Sequence, residues 1–552
     1  MWQSSLLFAL GCPALAGALC AQVSSQAPAT KTYPQKLVRF HAPDDPTVPV
    51  PVRKAPQPAA TVAGLPEAIR KRAAGIPVGA EPITVAVRAA DGAWWLGSAE
   101  GAMRCPADPA VRCDYFAGRR YLPDNEVLAI HLESDTVVWV RTRTGIARIE
   151  FRPMTLEQKA AVFEERVRLR HNRYGLLGTS ELTRAGDLFS NRMFPNDNDG
   201  LWTAIYIAAE SFRFAVTGEP EARRLARNSA EALMRLEQVT GISGFPARAY
   251  IRKGDYRHPG GEWHMTPDGR LEWKGDTSSD EIVGHFFAYS VYYDLAAAPE
   301  EKPAIRAVVA RIAAHILDHG RYLVGPSGKP TTWGKWSPAY FADKSALGWC
   351  DAPLNSLELL SFLKTAQHIT GQERFAAEYQ RLVEEGYPRL AAEYRARKCE
   401  LNYSDEELAM LSFYPLLEYE KDGALRRTYL EALGQWWENE RREENPLWIY
   451  MCSRAMGRPV DPEKAERALA RHPMDLIDWT VRNSQRRDIR MAPHNDRFGR
   501  AESLDLLPPD ERPVMRWNAN PFRIDGGNGG RSEDDGAAFL LAYWLGRYCC
   551  GP

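Results

Sequence analysis

The stretch that decides the fold is Phe194–Gly218, FPNDNDGLWTAIYIAAESFRFAVTG. Four Asp and Asn residues crowd its start, and a segment of helical length that is apolar on nearly every face follows without a break. One polar residue suffices to cap a helix and complement its dipole. The surplus is informative because it recurs. Apolar segments of the same kind begin near Asp280, Leu354, Asp405, Pro446 and Asp534, behind WKGDTSSDEIVGH, GWCDAPLNS, LNYSDEEL, RREENP and NGGRSEDDG.

Each all-round apolar segment alternates with one carrying a single apolar stripe and a charged face, as in EPEARRLARNSAEALMRLEQVTG from Glu219, EKPAIRAVVARIAAHILDHG from Glu301 and ALRRTYLEALGQWWENERREE from Ala424. Thr155–His171 supplies a sixth segment of the second kind. Short turns at TGEPEA, APEEKP and TGQERF make hairpins of the pairs. Six buried helices alternating with six half-exposed ones describe two concentric rings. The expected class is therefore mainly α.

This organisation, over roughly 155–552, resembles the (α/α)6 toroid of the six-hairpin glycosidase and polysaccharide-lyase superfamily. The resemblance is architectural and carries no motif residues with it. It implies a carbohydrate-active enzyme whose site lies at the mouth of the inner ring.

Upstream, ITVAVRAADGAWWLGSAEGAMRC and VLAIHLESDTVVWVRTRTGIARIEF repeat with a period of about 44 residues, aligning Trp95 with Trp139, Gly101 with Gly145 and Arg104 with Arg148. Between Glu81 and Phe151 this resembles the propeller repeats in the sensor halves of hybrid two-component regulators. Two units cannot close a propeller, so residues 79–152 are expected to form a small β domain with two blade-like repeats, ahead of a toroid over 153–552. Residues 23–78, rich in Pro and Ala, read as an extended linker. Residues 1–22 read as a secretory signal peptide, which implies a secreted or periplasmic protein. Cys105 and Cys113 are close enough in sequence for a disulfide. Cys350, Cys399 and Cys452 read as buried thiols.

The chain has 552 residues, 45% of them hydrophobic and 26% charged, and its 70 Lys and Arg balance 71 Asp and Glu for a net charge of −1. That balance argues against a nucleic-acid partner, and the N-terminal apolar run is too short and interrupted for stable membrane insertion. No cofactor is expected: GGNGG lacks the rest of a phosphate loop, and His258, Glu262 and His264 lie in a Gly/Pro loop rather than at metal-ligand spacing.

For hydrolysis, two carboxyls must face one cavity. Asp199 on the first hairpin and Asp280 or Glu281 on the second are the candidates, with Asp405, Glu406 and Asp535 in reserve. Each is also an ordinary helix-start residue. For the lyase alternative, a base and a carboxylate neutraliser are needed; His285 and Tyr289, four apart on one helix, would act with Asn172, Arg248, His258, His264, His494 and Asn495. The long segments 247–277, 325–353 and 478–533 supply Trp263, Trp336 and Trp517, which with Trp202 and Asn198 suit a poly- or oligosaccharide. A third reading is a glycan-binding protein without catalysis.

Overall fold

The computed structural model describes residues 31–54, 65–74, 76, 82–342, 347–397 and 399–551. The segment expected to be a signal peptide lies outside them.

Among the described residues, twelve helices of ten residues or more make the larger unit. They are α1 (Leu156–Arg166), α2 (Asp199–Thr217), α3 (Pro220–Gln238), α4 (Ser279–Leu295), α5 (Lys302–Asp318) and α6 (Leu347–Thr370), followed by α7 (Glu373–Glu384), α8 (Tyr403–Tyr419), α9 (Gly423–Glu440), α10 (Pro446–Met456), α11 (Pro462–Arg471) and α12 (Ala537–Cys550). Even-numbered helices touch in the order α2, α4, α6, α8, α10, α12, and α12 returns to α2, so the inner ring closes. Each odd-numbered helix lies on an inner partner, with α1 against α12. The toroid expected from the sequence is thus realised, and the two ends of its chain meet in one hairpin.

Local chemistry explains the boundaries. Thr155 opens α1 in a reciprocal capping box with Gln158, while Gly218 and Gly457 end α2 and α10 in the left-handed region at φ 70° and 65°. The inner helices bury most of their side chains, including Leu201, Ile205 and Tyr206 on α2 and Phe286 and Tyr292 on α4. They hold together by this tertiary burial, at roughly 1.5–3 kcal/mol for each large apolar side chain.

Eight strands build the smaller unit: β1 (Tyr33–His41), β2 (Val85–Arg88), β3 (Trp94–Ser98), β4 (Gly101–Cys105), β5 (Asp114–Phe116), β6 (Val127–Ser134), β7 (Val137–Thr142) and β8 (Ile146–Met154). They form two four-stranded antiparallel sheets, in the orders β2-β3-β4-β5 and β1-β8-β7-β6. Trp95 faces Arg104 across β3 and β4, and Trp139 faces Arg148 across β7 and β8. The sequence repeat is therefore a repeated cross-strand pair. Val85, Trp95 and Phe116 of one sheet pack on Ile130, Val140 and Ile149 of the other.

Part of the expected linker is structured. Residues 33–41 are β1, paired along their whole length with β8, and 50–54 and 67–73 are short helices. The Pro-rich composition flanks the strand and conceals the alternation within YPQKLVRFH. The two-sheet unit leans on the toroid where α11 meets β1 and α1 meets β8.

Candidate active site

The inner helices all start at one rim. There the chain crosses from outer to inner ring by long segments, whereas the opposite rim has only short turns. Two of the long segments hold structure of their own: 249–252, 263–265 and 271–274 form a three-stranded sheet, and Tyr322–Val324 pairs with Pro330–Lys335. Residues 478–533 are tied mainly by isolated bridges.

Asp280 of α4 is half-buried at this rim. Its charge acts on Glu281 of its own helix, on Glu358 of α6, and on Asp405 and Glu407 of α8, raising the pKa of each. Beside burial, which raises all four most, this one carboxylate is thus felt on three inner helices. Asp405 is half-buried and accepts a bond from Asn402 Nδ2 at 2.6 Å. Loss of water, together with Asp351 and Asp280, pushes its carboxyl up to about 7 against the opposing pull of Arg497. Asp351 of α6, held by the Tyr340 hydroxyl at 2.6 Å, is raised chiefly by burial. The helices α4 and α8 touch across the ring, and the charges of Asp280 on one and Asp351 on α6 both reach Asp405 on the other.

Arg516, from the last long segment, lies over the Trp202 ring at 4.1 Å, donates to Asp535 Oδ2 at 2.8 Å and projects its charge onto Glu407 and Asp199. One indole and one guanidinium thus close one wall. Beyond Asp405 a cleft of about 950 Å³ opens outward. Asn402 and Arg497, which both act on Asp405, line it, as do Tyr403, His494 and Asn495.

Several expected site residues are placed elsewhere. Asp199 is fully buried, ion-paired to Arg173, and accepts the Asn196 N–H at 3.0 Å; burial raises it to about 6. Glu281 is also fully buried and accepts the Gly200 N–H at 3.1 Å. It caps the neighbouring helix α2, which lacks a side-chain cap of its own. Both acids are parts of the ring wall rather than substrate-facing groups: Arg173 and the Asn196 N–H hold Asp199, and the free Gly200 N–H at the start of α2 claims Glu281. Asn198 joins the same framework, accepting from Ser278 Oγ and Arg248 at 3.2 Å.

His285 and Tyr289 point away from the mouth. Both are buried, and the groups that act on them are Leu233, Glu237 and Arg311 of the outer ring. His285 Nδ1 bonds the Glu281 carbonyl at 2.6 Å, and burial lowers it to about 4, so it is a neutral core histidine. The four-residue spacing does place both on one face, but it is the outward face.

Trp336 is buried, its indole donating to Glu358 at 2.7 Å. Trp517 donates to the Ala538 carbonyl, and Asp535 is buried as a cap for Ala537 N–H and as the Arg516 partner. Asn172 closes a turn onto Gly175 N–H. Glu406 lies buried beside Glu443 and Glu440. His258 stacks edge-on to Phe194, Trp263 carries Arg257 over its ring, and His264 lies on Trp273 and bonds Glu262 at 2.5 Å. These belong to the lip formed by the three-stranded sheet. Among the described residues no group of three or more His, Cys, Asp or Glu could hold a metal ion.

Asp351, Glu407 and Arg516 were missed by sequence reasoning. Asp351 sits within GWCDAPLNS, directly after Cys350, whose disulfide to Cys399 replaces the two buried thiols expected there. The bond staples the acid-bearing starts of α6 and α8. The expected Cys105–Cys113 bond is present, and Cys452 is a buried free thiol.

No family model and no curated protein matches this sequence. Similar solved structures include a sugar epimerase from a ruminal bacterium, 12% identical with a TM-score of 0.38, covering 70% of this chain and 97% of that one. Cellobiose 2-epimerase from Bacillus thermoamylovorans is 10% identical with a TM-score of 0.36, over 70% and 98%. AaCel9A in complex with cellobiose-like isofagomine is 12% identical with a TM-score of 0.37, over 82% and 97%. Likeness at this level carries no argument about activity, and the toroid rests on its own helix contacts.

Proposed function

We propose that the protein hydrolyses glycosidic bonds of a poly- or oligosaccharide at the mouth of the toroid. Asp405 is the proton donor and Asp280 the base or nucleophile. What supports this reading is the coupling of two acids at neighbouring inner-helix starts: burial, with the charges of Asp351 and Asp280, pushes the Asp405 carboxyl up to about 7, and Asp280 itself is half-buried. Such a division between two acids is what glycoside cleavage requires. Trp202 offers a face for a sugar ring, and Asn402 and Arg497 lead from the acids into the outer cleft, which suits the rest of a chain.

The disulfides Cys105–Cys113 and Cys350–Cys399 support a secreted or periplasmic site of action. No helix of the described residues is long and apolar enough to cross a membrane.

The test is to incubate the protein with neutral and uronate-containing polysaccharides, following reducing ends together with the ultraviolet absorbance of an unsaturated uronate. Reducing ends alone, abolished in Asp280→Asn and Asp405→Asn, are expected. A rise in both signals would replace hydrolysis by elimination. Binding without turnover would reduce the protein to glycan recognition.

A further inference from the structure

A second cavity lies away from the mouth, between the two-sheet unit and the toroid. It measures about 1110 Å³, and its wall carries eleven Lys and Arg against eight Asp and Glu, in a chain whose charges otherwise balance. Arg104 and Arg148, the equivalent arginines of the sequence repeat, both line it.

The wall acids are mostly spent. Asp510 is bound by Lys36 and Arg471, Glu150 by Arg148 and Arg152, and Glu533 by Arg166 and Arg170. Of the wall acids without a cation partner among the described residues, Asp135 and Glu463 are exposed and Asp475 accepts the Trp479 indole N–H at 2.8 Å. The cations are not all spent. Among the described residues Arg39, which is exposed, has no partner, and Arg119 donates only to the Pro123 carbonyl while stacked between Phe40 and Trp479, 5.2 and 5.7 Å from their centroids. Arg120 and Arg166, 4% and 8% exposed, keep N–H groups with no acceptor: Nε and one terminal nitrogen on Arg120, and one terminal nitrogen on Arg166. Those nitrogens lie behind the wall and add to its positive field, while the exposed Arg39 and Arg119 present their guanidinium groups to a cavity large enough for a small oligomer, beside the carbon surfaces of Val38, Phe40, Phe151 and Leu188.

We propose that this interdomain cavity is a second binding site, for a carboxylate-bearing saccharide whose carboxylate meets the arginines and whose ring lies on the carbon surfaces. A planar guanidinium pairs a carboxylate through two parallel bonds. The saccharide part rests on the function proposed above; the anionic part rests on the wall alone. The two-sheet unit then acts as a recognition arm, holding an acidic stretch of the polymer while the mouth works on another.

Titration calorimetry tests this with three probes: an oligogalacturonate trimer, cellotriose and inorganic phosphate. Asp280→Asn should bind the uronate trimer with unchanged affinity. The double variant Arg39→Glu, Arg119→Gln alters side chains outside the buried core, and should weaken that binding at least tenfold while keeping turnover of a short neutral substrate. Cellotriose should not compete at this site. Uronate affinity unchanged in the double variant, or absent in the wild type, overturns the proposal, and phosphate competing as well as the trimer overturns the saccharide assignment. Should the double variant lose uronate binding while Asp280→Asn keeps full turnover, the cavity stands and the catalytic reading falls.

Discussion

The mouth of the ring and the cavity beneath the two-sheet unit use the same residue types to opposite ends. In the cavity, burial works to raise Glu533, but bonds from Arg170 and His171 and the Arg166 charge outweigh it and hold the acid down to about 2. Asp510 is likewise buried, and Lys36 and Arg471 hold it well below the usual carboxylate range. At the mouth burial prevails: Asp405 rises to about 7 and Glu407 to about 8, each with other acids nearby and with an arginine acting only through its charge. A carboxyl therefore becomes a proton store or a structural anchor according to whether a cation touches it.

That contrast breaks most sharply at the chemistry. Asp280→Asn and Asp405→Asn should each lower kcat by on the order of a thousandfold, whereas Asp510→Asn should lower stability and leave the kcat of the folded fraction unchanged. Initial rates at saturating substrate, corrected for folded fraction, decide it.

Stability should respond to pH with opposite sign in the two regions. Glu407 has a folded pKa above its ordinary value, so its ionisation works against the fold as pH rises from about 4.5 through about 8. Glu407→Gln should then stabilise by up to roughly 5 kcal/mol at pH 9 and by nearly nothing at pH 4. For Glu533 the folded pKa is depressed, so its contribution is present above about 4.5 and is lost as pH falls through about 2. Glu533→Gln should cost about 3 kcal/mol at pH 7, with the deficit shrinking in acid. Denaturant melts of both variants at three pH values would show whether the curves cross.

A smaller effect sharpens the assignment of the donor. Asp351 helps to raise Asp405, so Asp351→Asn should move the basic limb of the kcat/KM profile, expected near pH 7, downward by about half a unit. An unmoved limb would take the proton from Asp405 and give it to another group.

The sequence made the ring legible because its signal is periodic and repeated. All-round apolar helices such as α2 and α4 can only be interior, and the acids before them mark one rim. Roles within that rim were less legible. Asp199 and Asp280 look alike in sequence, yet the first helical turn puts Asp199 against Arg173 and leaves Asp280 facing open space. A cap can also come from another helix, as Glu281 does for Gly200, and spacing along one helix gives no sign of it. Strand β1 was hidden for a related reason: its partner β8 lies more than a hundred residues away, so nothing local announced it. Arg516 reaches the mouth from a segment with little regular structure, where side-chain direction follows from packing alone.

The Cys350–Cys399 bond spans the gap between the starts of two inner helices, one bearing Asp351 and the other Asp405. A chain made and kept where thiols stay reduced would hold these acids only by packing, and their mutual repulsion would be free to part them. If the protein is exported as proposed above, oxidation would lock this rim only once the chain has left the reducing interior of the cell.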